Sequence, residues 1–168
     1  MIDSQTVKEL IDRMSNEDRF HMAKDRTKKR DVVKQKTASF KPMGLWYDFG
    51  GAWLEWCLCE EESWLEKYIH KIEVDKTKLL VLSTIKEVCD FQDRFNLGTE
   101  EKPFLNQIID WESMSQVYSG IEINPYFDDL RFSISIVVGS WYYAWDVPSG
   151  CIWNPDCITK ISLFHVFE

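Results

Sequence analysis

Eight tryptophans in a chain of 168 residues restrict what it can fold into more than any other feature. An indole is large, and its N–H needs an acceptor once it is buried. Such a ring therefore either completes a core or lines a recognition surface. Three segments set these rings beside turn residues and hydrogen-bonding groups: Lys41–Tyr47 (KPMGLWY), Ile121–Tyr126 (IEINPY) and Trp145–Trp153 (WDVPSGCIW). Brought together, they would wall an aromatic cleft with a few polar contacts, suited to a nucleotide or nucleobase. Ordinary core strands joined by turns would give the same pattern.

The length suffices for one substantial core and not for two ordinary domains, so residues 1–168 read as a single domain. The net charge of −8 conceals an asymmetry. Arg19 to Lys41 holds nine Lys/Arg against two Asp, a local +7, while the remaining residues carry 11 basic and 26 acidic side chains, or −15. The acidic body disfavours non-specific binding to DNA or to anionic membranes. The basic stretch 19–41, read as a loop or arm, still offers local attraction for phosphate. It has little aromatic interleaving, so a nucleic-acid partner is the weaker expectation and a protein partner the stronger. No apolar run approaches the roughly 20 residues that span a bilayer. Five cysteines, an odd number without a CxxC pair, point to reduced thiols and a cytoplasmic protein.

Hydrophobic periodicity predicts three main helices. Ser4 would cap the first, which carries Val7, Leu10, Ile11 and Met14. The second would run from Ala52 towards Glu66 with Trp53, Trp56 and Trp64 on one face. The third begins at Thr84, with Glu87 completing a capping box and Ile85, Val88, Phe91 and Phe95 as its buried stripe. Asp110 would cap a shorter helix. Strands are expected at Leu45–Tyr47, Tyr68–Val74, Leu79–Leu82, Ile121–Asn124, Cys151–Trp153 and Ile158–Phe167, and a hairpin at 133–145 around Gly139-Ser140. Several short strands with about three helices predict an α+β domain with a mixed or antiparallel, strongly aromatic sheet.

No glycine-rich dinucleotide fingerprint or P-loop is present. Cys57, Cys59 and His70 have poor zinc spacing, so no metal site is expected. Gly44-Leu-Trp-Tyr47, with the following glycine break and Trp53 helix, resembles the second conserved region of the ADP-ribosyltransferase fold. Tyr68 to Leu82 resembles the strand pair that follows it. Cys151-Ile-Trp-Asn-Pro-Asp-Cys-Ile158 is similar to the late strand with its aromatic-Asn/Asp-Pro turn. The resemblance extends over residues 37 to 160.

That resemblance implies NAD as the bound dinucleotide. An early His or Arg would hold its ribose region, with His21, Arg26, Lys36 and Lys41 as candidates. Tyr47 would support the nicotinamide, and Lys41, Gly44, Trp46, Trp53 and Ser149 would complete the binding site. The family's late Glu is missing, because Ser149-Gly-Cys-Ile stands in its place. Asp146 is the nearest acid along the chain and Glu122 lies on another strand, so Asp146 and Tyr47 are the catalytic candidates. Two functions follow as expectations. One is transfer of ADP-ribose from NAD to an acceptor, with a protein as acceptor. The other is a non-catalytic effector or inhibitor that binds protein through an acidic, Trp-rich face.

Overall fold

The computed structural model describes residues 2–28, 31–37, 39–99, 101, 108–131 and 140–168. They form a single α+β domain. Seven strands make one sheet: β1 (Arg19–Ala23), β2 (Leu45–Phe49), β3 (Tyr68–Val74), β4 (Leu79–Leu82), β5 (Gly120–Ile123), β6 (Ser149–Ile152) and β7 (Ile158–Val166). Their order across the sheet is β4-β5-β6-β2-β1-β3-β7. Only β4 and β5 run parallel. A parallel pair needs a crossover, here supplied by α3 (Ile85–Phe95) and the short α4 (Trp111–Ser115). The other helices are α1 (Ser4–Ile11), α2 (Ala52–Glu60), and the single-turn α5 (Asp128–Arg131) and α6 (Ser140–Tyr143). Among the described residues no helix is long and apolar enough to cross a membrane, and all five cysteines are free thiols.

The helix starts follow from local chemistry. Asp3, rather than Ser4, caps α1 by accepting from Thr6 N–H at 2.8 Å. Thr84 and Glu87 form the expected box: Glu87 N–H donates to Thr84 Oγ1 and Ser83 N–H donates to Glu87 Oε2. Val88, Phe91 and Phe95 are buried as the stripe requires, whereas Ile85, the first residue of α3, is 47% exposed. Two larger differences matter for function. Arg19–Ala23, expected within a basic loop, is a central strand. Trp141–Trp145, expected as a strand, follows Ser140 into α6 and the turn beyond it, while 133–138 lies outside the described residues.

Residues on alternate sides of the strands enter different cores. One face carries Leu45, Tyr47, Phe49, Ile72, Leu79 and Ile158. These come from both halves of the sheet, which therefore bends around them. The other face bears two clusters. Over β4, β5 and β6, the helices α3 and α4 pack with Trp111, Trp141, Trp145 and Trp153. Over β1, β3 and β7, the helices α1 and α2 supply Val7, Leu10 and Leu54 against Phe20 and Ile69. Buried indoles find acceptors: Trp111 Nε1–H donates to Ser39 O, Trp141 to Gln92 Oε1 and Trp153 to Tyr118 O, at 2.8, 3.0 and 2.7 Å.

A buried ion pair crosses the middle of the first face. Arg19 on β1 donates to both Glu122 oxygens on β5 at 2.7 and 2.9 Å, and Tyr47 Oη–H on β2 donates to Glu122 Oε2 at 2.8 Å. The intervening strand β6 contributes Gly150, the register partner of both Tyr47 and Glu122. A Cβ at Gly150 would collide with the Tyr47 ring and hydroxyl, so glycine is what lets the phenol reach across. Burial opposes the Arg19 charge, but the Glu122 hydrogen bonds and charge overcome it and raise the Arg19 pKa. Burial and the Glu122 charge together push the Tyr47 phenol well above its ordinary value. Removing one partner leaves a buried charge uncompensated. Glu122→Ala should therefore lower unfolding free energy by about 3–5 kcal/mol, measured by urea denaturation. Losing the exposed Lys160–Glu73 pair in Lys160→Ala should cost less than about 1 kcal/mol.

Candidate functional site

The two clusters on the helical face leave a cavity of about 260 Å³ between them. It lies above the middle of the sheet, where β1, β2 and β6 are neighbours. The Trp46 and Trp145 rings pack at 4.8 Å with a 57° tilt, and Trp53 at the start of α2 and Phe20 on β1 add further aromatic wall. The volume falls just below the roughly 300–1,000 Å³ of sites for drug-sized ligands, so it suits one ring system with its substituent.

Local structure explains why these side chains meet. The β1/β2 ladder comprises only Arg19↔Phe49 and Phe20↔Asp48. Beyond it the strands are joined through a side chain, with His21 Nδ1–H donating to the Trp46 carbonyl at 2.6 Å. Because a carbonyl only accepts, that contact assigns a proton to Nδ1. The approach to β2 is held by Gln35, whose side-chain amide accepts from Met43 N–H at 2.9 Å and donates to Met43 O at 2.6 Å. This clamp places Lys41 at the cavity wall, its Nζ 5.5 Å from the Trp46 ring centre and 3.7 Å from Asp146. Gly50 and Gly51, with φ of 64° and 83°, turn the chain from β2 into α2 and so aim Trp53 back at the strand.

Two acids line the cavity. Asp146 is held by Arg131, which donates to Oδ1 at 2.7 Å, and by Lys41. Asp48 is 5% exposed, and among the described residues no cation pairs with it. Its Oδ2 accepts from Trp53 N–H at 2.6 Å, doing for α2 what the Gly51 cap residue cannot, while Oδ1 has no hydrogen-bond partner. Burial raises the Asp48 pKa to about 7 against the lowering influence of the backbone N–H groups of Trp53, Gly51 and Leu54. The Trp145 indole N–H is also buried without an acceptor. Asp48 Oδ1 and Trp145 Nε1–H are thus unpartnered atoms of two residues that border the cavity, and both atoms are shielded from solvent.

Of the residues singled out in the sequence, Asp146, Tyr47, Lys41, Trp46, Trp53 and Ser149 all line this one cavity. Gly44 does not. It sits against the Ile152 carbonyl on β6, where a Cβ would collide. Tyr47 presents its backbone side to the cavity, since its hydroxyl is committed to Glu122 on the opposite face. Ser149 Oγ–H donates to the Val147 carbonyl. Among the early basic candidates His21 and Lys41 reach the wall, and Arg26 and Lys36 do not. Sequence reasoning missed Asp48, although an Asp ahead of Gly-Gly and a helix is a capping pattern, and it gave Trp145 no role of its own.

No cysteine is among the residues that border the cavity. Burial pushes the Cys157 thiol up to about 11 and Cys57 up to about 12, and raises Cys151 well above its ordinary value. Among the described residues no group of three or more His, Cys, Asp or Glu comes together to hold a metal ion. No family model matches the chain, nor does any curated protein or solved structure.

The elevated Asp48 pKa makes a signed prediction. Between about pH 4 and pH 7 the native carboxyl retains a proton that the unfolded chain has released, so its contribution to stability declines as pH rises through that window. Asn at this position keeps an acceptor for Trp53 N–H and cannot ionise. Asp48→Asn should gain on the wild type by up to about 3 kcal/mol between pH 5 and pH 8, read from urea denaturation at each pH. Parallel pH profiles would show that Asp48 ionises freely in the native state.

Proposed function

We propose that the cavity binds the nicotinamide-ribose end of NAD and that the protein transfers ADP-ribose from it to an acceptor. The observation that carries this reading is the meeting of residues quoted from separated segments: Lys41, Trp46 and Tyr47, Trp53, and Asp146 with Ser149 all border one aromatic cavity. The volume accommodates a pyridine ring with part of its sugar, leaving the diphosphate and adenosine outside.

In this reading the Trp46 and Trp53 rings edge the pyridine ring, and Lys41 meets ribose or phosphate oxygens. Lys41 suits the phosphate, being 42% exposed at its side chain and only 3.7 Å from Asp146, so that it turns outward at small cost. In the reaction the bond between ribose C1′ and the pyridine nitrogen breaks, and its electron pair leaves with nicotinamide. The acceptor nucleophile forms the new bond to C1′ and gives up its proton. Positive charge builds on the ribose as the bond breaks, and the Asp146 carboxylate supplies the opposing charge that Ser149 cannot. Free cysteines fit a reducing cytoplasmic setting. The alternative of a protein-binding role without catalysis draws support from the aromatic cluster that extends from Trp53 at the cavity wall to Trp56 and Trp64.

NAD should quench indole fluorescence saturably, and incubation should release nicotinamide. Trp46→Ala should weaken NAD binding roughly tenfold through lost stacking, while Asp146→Asn should reduce nicotinamide release more than it reduces binding. Absence of NAD binding at millimolar concentration in the folded protein would overturn the proposal.

A further inference from the structure

A second aromatic feature extends outward from the cavity wall at Trp53. Trp53 and Trp56 of α2 stack at 4.8 Å with planes 4° apart. Trp64, in the 3-10 turn Glu62–Trp64 that follows, closes on both at 6.0 and 5.5 Å with tilts of 25° and 28°. Unlike the core indoles, these are not enclosed: Trp53 and Trp56 are half-buried and Trp64 is 53% exposed. An exposed indole cluster on a protein whose other tryptophans include four that are fully buried calls for an occupant.

Charge identifies the occupant. Residues 52–66 contain five carboxylates, Glu55, Glu60, Glu61, Glu62 and Glu66, and no Lys or Arg. Glu60 stands four positions after Trp56 and seven after Trp53, hence on their side of α2, and Glu61 and Glu62 lead directly into Trp64. Indole faces attract cations through their quadrupole, guanidinium most readily, and surrounding carboxylates deepen that potential. Nucleic acid also stacks on indoles, but a phosphate backbone would be repelled here. The surface already accepts one cation, because Lys24 approaches Glu66 at 3.9 Å.

We infer that the Trp53–Trp56–Trp64 cluster and its glutamates dock an arginine-rich segment of a partner protein. Arginine fits better than lysine because its planar guanidinium stacks on an indole while donating to the flanking carboxylates. Trp53 belongs to both the cluster and the cavity wall, so the docked segment lies beside the cavity mouth. The inference does not depend on the chemistry inside the cavity, since docking requires no NAD.

The test is titration of the full chain, without NAD, with a peptide carrying five arginines, followed by calorimetry and indole fluorescence. Saturable binding should exceed that of the equivalent lysine peptide. Trp64→Ala should weaken it about five- to tenfold, with the melting temperature unchanged because the ring is half exposed. Glu60→Gln combined with Glu61→Gln, both at exposed positions, should weaken it comparably and flatten its salt dependence. No saturable binding of the arginine peptide would overturn the inference. So would unchanged affinity in the Trp64 variant, or tighter binding of a single-stranded oligonucleotide at the same ionic strength.

Discussion

Everything at the centre of this sheet depends on the contact that Glu122 makes with Arg19 and Tyr47. Four adjacent strands, β5, β6, β2 and β1, are spanned by three side chains and one missing side chain. Gly150 clears the row, Tyr47 lies across it, and Arg19 supplies a bidentate partner that a lysine would not match. A buried ion pair of this kind is weak evidence for net stability, because desolvation offsets much of its Coulombic gain. Its consequence is positional. A one-residue slip of β2 would bring Trp46 or Asp48 opposite Glu122 in place of Tyr47, and so leave the buried charges without the phenol.

Register on that face decides what the other face displays. With Tyr47 committed inward, its neighbours Trp46 and Asp48 must point to the helical side, and pairing carries Ser149 there with them. The helical side is covered in two parts because the crossover through α3 and α4 serves β4 and β5, while α1 and α2 serve β1, β3 and β7. Neither group reaches across the middle. The cavity is the gap that this division leaves, and its walls are aromatic because the edges of both cores are.

Much of this was legible in the sequence where a local rule was at work. The Thr84–Glu87 box, the Asp110 cap and the α3 stripe at Val88, Phe91 and Phe95 are patterns of spacing, β3 alternates bulky and polar residues, and β4 is a short apolar run after a turn. The cavity-lining residues Trp46, Trp53, Asp146 and Ser149 stand in or beside aromatic segments flanked by turn residues, a pattern visible in the sequence. Less legible was whatever depended on distant partners. Arg19–Ala23 reads as part of a basic stretch because Arg19 looks solvated until Glu122, 103 positions away, is brought to it. Trp141–Trp145 has the β-propensity of its aromatic residues, yet it is folded into a helical turn because Trp141 bonds Gln92 and Tyr142 accepts from Phe127 N–H. Glu122 looks like a solvated strand residue for the same reason.

The tryptophans divide by whether an acceptor is within reach of the indole N–H. Trp111, Trp141 and Trp153 have one inside the protein and serve as core. Trp145 is as deeply buried but lacks one, and it is the member of that core that borders the cavity. An unmet buried donor costs about 1–3 kcal/mol, and the unmet oxygen of Asp48 adds a cost of the same kind. Both atoms are shielded from solvent, so the folded protein bears that cost whether or not the cavity is filled. What the cavity itself presents is its aromatic wall of Phe20, Trp46, Trp53 and Trp145, a surface whose shape matches a flat ring.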